Sequence, residues 1–344
     1  MAAMAAPRPH PDHRRHSPHQ RRQVRQEAAP GPDGDRPGST RSARMSPSPD
    51  TIETATSTVP VAGGELLLTR FGSGPRTVLG IHGITANAMS LRAVARRLGP
   101  DFTLVAPDLR GRGGSADLPG PHGMRAHAAD CAAVIHALGS QPMAVLGESM
   151  GAYVGVVLAA QHPLLVRRLV LADGGLPLPQ PPGFMPGADP APVVEMVLGP
   201  AVARLSRVFT SRRAYLDFWR DHPALAEDWN QDVEAYLDHD LEACEGGFRS
   251  RVSEAAVRAD AAEQLTDPDL FTQALQSISC PITLVTAPRN LLNQPVPLLS
   301  EAVIAEWRAR LPNLTVEMVP DVNHYTLMMG SQGPAILAAR LAAR

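Results

Sequence analysis

The run Met143-Ala144-Val145-Leu146-Gly147-Glu148-Ser149-Met150-Gly151, followed by the small-residue segment Ala152 to Ala160, is the stretch around which the chain is organised. Four apolar residues in succession suit a short strand buried on both faces. The small residues after the glycines suit a helix packed close against that strand. Between them Gly147-x-Ser149-x-Gly151 is the pattern of a sharp strand-to-helix turn that exposes its central serine, a nucleophile elbow. Such a turn forces the serine into sparsely populated backbone torsions, and the flanking glycines leave room where strand and helix nearly touch. The helix N-terminus behind Ser149 favours developing negative charge.

Reading outward, the same alternation of strand and helix recurs. Upstream, Thr77 to Ile81 is a short apolar run that ends in His82-Gly83-Ile84-Thr85, and a helical pattern from Ala88 to Leu98 closes with Gly99-Pro100. Phe102 to Ala106 is a further buried strand, opening into Pro107-Asp108-Leu109-Arg110-Gly111-Arg112-Gly113-Gly114-Ser115, and a helix from Met124 to Leu138 leads back to the elbow strand. Thr54 to Val59 and Glu65 to Phe71, split by Gly63-Gly64, read as an antiparallel hairpin at a sheet edge. Downstream, Arg168 to Ala172 ends at Asp173-Gly174-Gly175. The alternation then halts from Leu176 to Ile278, where a proline-rich entry precedes helical patterns near Ala201–Asp221, Asp232–Glu242 and Arg251–Gln264. It resumes with Pro281 to Val285, a helix over Glu301–Leu311, Thr315 to Val319, the turn Pro320-Asp321-Val322-Asn323-His324 and a last helix over Ala335–Ala343. Strands joined by helices predict an α/β fold with a mostly parallel, doubly wound sheet. Residues 51–175 and 279–344 form its core, and 176–278 an all-helical cap over the carboxyl edge, where crevices form in such sheets.

Composition narrows the function classes. Residues 1–50 carry nine Arg against five acids, a net +4, which leaves −6 on residues 51–344. A mildly acidic folded part offers no footing for nucleic acid. No apolar run approaches the ~18 residues that span a bilayer, so no membrane partner is expected. The first 50 residues are rich in Pro, Arg, His and Ser and almost free of large apolar side chains, which predicts a disordered tail. Met45 is a plausible alternative start. Three cysteines without C-x-x-C spacing argue against a disulfide framework and fit a reducing, cytoplasmic setting. There is no H-E-x-x-H, no paired Cys/His spacing and no phosphate-binding G-x-x-x-x-G-K-[ST] loop, so neither a metal nor another cofactor is implied. Nine of the 14 aromatic residues lie between 176 and 275. Such rings either line a pocket for a hydrophobic small molecule or pack the insertion's own core.

The ordered set His82-Gly83, Asp108-x-Arg110-Gly111-x-Gly113-x-Ser115, Gly147-x-Ser149-x-Gly151, an insertion and a late His324 resembles the α/β-hydrolase superfamily in its capped form, over residues 51–344. The resemblance implies a serine hydrolase acting on an ester, lactone or thioester. Rival readings are a carbon–carbon bond hydrolase or polyketide-type thioesterase, and a non-catalytic binding protein on the same scaffold. Ser149 is then the nucleophile and His324, after the last strand, its base. The backbone N–H groups of Ile84 and Met150 occupy the positions of an oxyanion hole. His82 orders its own loop, Asp108 and Arg110 pair to shape theirs, and Asn323 and Tyr325 either position the base or pack beside it.

The triad acid departs from the commoner family pattern. After Pro281 to Val285 the chain reads Thr286-Ala287-Pro288-Arg289-Asn290-Leu291-Leu292-Asn293, with no carboxylate. Asp173, closing the preceding strand, is the alternative acid, with Asp321, a cap carboxylate or no acid as the remaining choices.

Overall fold

A computed structural model describes residues 51–179, 185 and 187–343. The expectations for residues 1–50, for a start at Met45 and for the Phe184 ring therefore fall outside the described residues. In chain order the elements begin with β1 (Thr54–Val61), β2 (Gly64–Phe71), β3 (Arg76–Ile81), α1 (Arg92–Leu98), β4 (Phe102–Pro107), α2 (Met124–Ala137), β5 (Met143–Glu148), α3 (Met150–Gln161) and β6 (Val166–Ala172). The insertion holds α4 (Ala191–Leu205), α5 (Arg212–Arg220), α6 (Gln231–Asp240), β7 (Leu241–Cys244), β8 (Gly247–Ser250), α7 (Glu254–Thr266) and α8 (Pro268–Ser277). The chain closes with β9 (Ile282–Thr286), α9 (Glu301–Arg310), β10 (Leu314–Met318), α10 (Thr326–Met329) and α11 (Gly333–Ala342).

Eight strands make one sheet in the order β1-β2-β4-β3-β5-β6-β9-β10. β1 and β2 pair antiparallel, as does β2 with β4, and every other pairing is parallel. The hairpin thus sits at an edge and the apolar parallel strands lie inside. Strand order reverses at β3, which lies between β4 and β5, so a crevice opens beyond the carboxyl ends of β3 and β5. Helix α3 is buried along Met150–Ala159 and packs on both α2 and α8, which explains its small residues. A Cβ at Gly147 would lie 2.3 Å from Gly151 O, and one at Gly151 2.2 Å from Ile81 O. Glycine at these two positions is a condition of strand and helix meeting at all.

Two expectations for the insertion need correcting. It is not all-helical: β7 and β8 form an antiparallel hairpin through Gly246 and Gly247, both at positive φ (84° and 147°). The helical pattern expected over Asp232–Glu242 stops at Asp240, because Leu241 turns extended and Gly246-Gly247 reverses the chain. Moreover, α8 is a wall of the main core: Phe271 meets Tyr153 of α3 edge-on at 5.0 Å, and Ala274 and Leu275 are buried there. Most of the other rings pack the insertion itself. Phe209, Tyr215, Phe218 and Trp219 contact one another at 5.0–6.4 Å.

Polar ties clamp the insertion to the core. Asp232 receives Arg92 and Arg96, Asn87 donates to Tyr236 O at 3.1 Å, and Asn230 donates to Met329 O at 2.9 Å. The most deeply buried tie is Asp260 of α7, whose carboxylate takes the Arg112 guanidinium at 2.6 Å, the Gly123 N–H at 2.6 Å and His127 Nε2 at 3.1 Å. Both side chains of the Arg112–Asp260 pair are fully buried. Burial alone would raise the pKa of Asp260, but Arg112, His127 and the Gly123 N–H outweigh it and hold the carboxyl below its usual range. Asp260→Ala, which orphans a buried cation, is expected to cost about 3–5 kcal/mol of unfolding free energy in urea denaturation. Asp238→Ala, which breaks only the exposed pair with Arg212, should cost no more than about 1 kcal/mol. Equal losses would show that burial of the first pair does not matter.

Candidate active site

The strands of the sheet's parallel half deliver the site in spatial order. β3 leads into His82-Gly83-Ile84, β5 into Ser149, β6 into Asp173, β9 into Ala287 and β10 into the turn that carries His324. Residues far apart in the chain therefore meet along one sheet edge.

Ser149 has φ 52° and ψ −116°, the strained geometry expected of an elbow residue. Its N–H donates to Ala172 O at 2.9 Å, and the Gly174 backbone presses on it so closely that a Cβ there would lie 2.5 Å from Ser149 O. Among the described residues its hydroxyl has no hydrogen-bond partner, which leaves it open to the crevice. Asp173, also at positive φ (49°), places Oδ2 2.7 Å from His324 Nδ1, and its Oδ1 accepts the Ala287 N–H at 3.3 Å. The loop after β9, which lacks an acid, thus contributes a backbone donor to the acid from β6. Asp321 plays no such part: it is exposed, and its carbonyl accepts Arg289 Nη2.

Asp173 and His324 are 1% and 4% exposed. Burial pulls the imidazole's pKa down, but the hydrogen bond and charge of Asp173, joined by the charge of Glu148, outweigh that and leave it above its ordinary value. With Nδ1 bonded to the carboxylate, Nε2 is the ring nitrogen free to take a proton. Asn323 holds the turn in shape: its Oδ1 accepts the Tyr325 and Thr326 N–H groups, while its Nδ2 donates to Ala224 O at 3.0 Å. Tyr325 packs edge-on to His324 at 6.1 Å.

Ile84 follows Gly83, where a Cβ would lie 3.3 Å from the Ser149 Cβ, so the β3 loop runs beside the serine. Met150 opens α3, and its N–H has no acceptor within the helix. Both residues are gripped by Arg112, whose Nε donates to Ile84 O at 2.9 Å and whose Nη2 lies 3.9 Å from the Met150 sulfur. His82 has the loop-ordering role expected of it. Its Nδ1–H donates to Gly83 O at 2.8 Å, its Nε2 accepts the Leu109 N–H at 3.0 Å, and burial lowers its pKa to about 4, so the ring is neutral.

The expected pairing of Asp108 with Arg110 does not occur. Two residues apart in an irregular loop, they point away from each other. Arg110 forms a two-pronged bond to Asp130 of α2, with Nε and Nη2 both at 2.7 Å, whereas Asp108 accepts the Ala88 and Gly114 N–H groups and His239 of α6 at 2.6 Å. Arg112, Asp260 and Glu148 escaped the sequence reading. Glu148 is buried beside the serine and accepts the Ser90 hydroxyl at 2.7 Å; burial, opposed by that bond, raises its pKa. The one available signal was the position of Arg112 inside the Asp108–Ser115 motif.

Known proteins resemble this chain. A family profile described as the alpha/beta hydrolase fold matches residues 76–330. The chain is 30% identical to the N-formylmaleamate deformylase of Pseudomonas putida over 74% of its own length and 84% of that protein's. It is 27% identical to the 2-(acetamidomethylene)succinate hydrolase of Mesorhizobium japonicum over 74% and 83%. A solved E-2-(acetamidomethylene)succinate hydrolase superposes with a TM-score of 0.67 at 25% identity, covering 83% of this chain and 97% of the other. The chain is an enzyme of the alpha/beta hydrolase family.

Proposed function

We propose that the enzyme is a serine hydrolase that cleaves an ester, lactone or thioester of a hydrophobic small molecule through an acyl-enzyme. His324 Nε2 takes the proton of Ser149 Oγ as the oxygen attacks the acyl carbon, and returns it to the leaving group. Asp173 holds the ring by Nδ1–H and stabilises the imidazolium. The Ile84 and Met150 N–H groups receive the charge that develops on the acyl oxygen. The observation that carries this reading is the 2.7 Å bond between Asp173 and His324, made by two buried side chains 151 residues apart and set beside a strained, half-buried serine. Ile84 packs against Val202, Leu205, Val252 and Val257, an apolar wall that suits a hydrophobic acyl group.

A second reading, cleavage of an amide or carbon–carbon bond, is favoured by relatives that are named a deformylase of N-formylmaleamate and a hydrolase of 2-(acetamidomethylene)succinate. Both readings share the same nucleophile. Treatment with a fluorophosphonate, followed by peptide mass spectrometry, is expected to place the adduct on the peptide containing Ser149. A folded protein that takes no label would instead favour a binding protein on this scaffold.

A further inference from the structure

The insertion buries a guanidinium whose neighbours reach the β3 loop and the His324 turn. Arg204 lies on α4, between Val202 and Leu205, which pack with Ile84 of the β3 loop. It is only 5% exposed, and its guanidinium carbon sits 4.9 Å from the centroid of Trp219. Trp219 meets Tyr325 at 6.3 Å, and Tyr325 in turn meets His324 at 6.1 Å. Tyr236, whose hydroxyl lies 3.5 Å from Thr85 O, is near enough to Arg204 to feel its charge, as is Tyr325. The residue is thus linked through its neighbours to the β3 loop on one side and to the base on the other.

How Arg204 is held separates it from the other deeply buried arginines. Arg110 commits its Nε/Nη2 edge to the two oxygens of Asp130, which fills the fork. Arg204 is held by a single corner. Its Nη1 donates to Asp240 Oδ2 and to the Tyr215 hydroxyl oxygen, both at 3.0 Å. Asp240 is engaged on its other sides by Tyr215 and by Ser250 Oγ at 2.8 Å, so it acts as a fixed anchor. The Nε and Nη2 of Arg204 have no hydrogen-bond partner among the described residues, and neither is among the side-chain atoms sealed from solvent without a partner. The edge of the guanidinium that best fits a planar pair of oxygens is therefore anchored from behind and left open.

We propose that the Nε/Nη2 edge of Arg204 is an anion-recognition subsite of the Ser149 centre, and that the enzyme's substrates carry a carboxylate on the part of the molecule lying beneath α4. This rests on the hydrolase reading above. The carboxylate would dock on the roof while the scissile acyl carbon lies at Ser149, so Arg204 sets specificity and takes no part in proton transfer. A planar monoanion matches one guanidinium edge.

The test compares two chromogenic esters of similar length, the mono-p-nitrophenyl ester of glutaric acid and p-nitrophenyl valerate. Arg204→Met is expected to lower kcat/KM for the acidic ester by roughly 10- to 100-fold, mainly through KM, the size of a charge-assisted pair. It should leave the neutral ester within about threefold, and Arg204→Lys should restore part of the loss. Because Arg204→Met strands Asp240 without its cation, Arg204→Met combined with Asp240→Asn is measured beside it and should give the same selective loss. An equal fall on both esters, or no selective fall on the acidic one, overturns the proposal while the hydrolase reading stands. Calorimetric binding of glutarate does not depend on turnover: it is expected for the wild type and lost in both variants. Binding that is absent from the wild type, or unchanged in the variants, overturns the subsite. A wild type that binds glutarate but hydrolyses no acyl compound overturns the hydrolase reading alone.

Discussion

Ser149→Ala is expected to lower kcat for any substrate of this enzyme by roughly a millionfold, down to the residue of rate left by binding and the oxyanion donors alone. No other hydroxyl can take over, because the elbow's torsions place this one side chain over the crevice. Ser90, a buried hydroxyl close by, is committed to Glu148. The variant should fold normally. Alanine has the same Cβ and meets the same positive-φ strain, and among the described residues the serine hydroxyl makes no hydrogen bond that the change would remove. The measurement is initial rate at saturating substrate on protein purified away from host esterases, with the melting temperature as control. Activity above about one percent of wild type, on an intact fold, would remove Ser149 from the chemistry.

The readings that were legible in the sequence are the local ones. The elbow, the buried strands and the hairpin at the edge each depend on a few adjacent residues whose spacing is itself the physical cause, and each is where it was expected. Asp173 was one candidate among several, suggested by the resemblance because no acid follows β9; that its carboxylate meets His324 is what the fold adds. The failures are non-local. Asp108 and Arg110 share a motif, which suggested a pair, but sequence neighbours in a loop need not face one another; each found its partner on a different helix. Arg112 is unreadable without α7, because only the fold brings Asp260, 148 positions later, to its guanidinium. The β7–β8 hairpin was lost because Leu241-Glu242-Ala243-Cys244 is compatible with continuing α6, and only the Gly246-Gly247 reversal ends it. The aromatic-rich insertion shows the limit of composition: the rings were countable, but that four of them pack on one another had to be seen.

Asp173→Asn should lower kcat by roughly ten-thousandfold and also move the pH profile, whereas Asp321→Asn should leave both near wild type. The amide is nearly isosteric, and asparagine tolerates the positive φ at position 173, so the fold has no reason to change. What changes is the proton. The carboxylate accepts Nδ1–H and so leaves Nε2 as the basic nitrogen; an amide can present its N–H₂ to Nδ1 instead, which puts the ring's proton on the wrong nitrogen and gives no charge to balance the imidazolium. The sign of the pH effect follows from the forces on His324. Burial lowers its pKa and Asp173 raises it, with the net result above the ordinary value of 6.5. The base works only when neutral, so in the wild type activity falls as pH drops through that raised value. Removing the carboxylate's hydrogen bond and charge leaves burial dominant, and the acid limb of kcat/KM should move to lower pH even as its plateau collapses. A variant that lost rate with its acid limb unmoved would mean that another group sets the limb, and one that kept near-full rate would take Asp173 out of the triad.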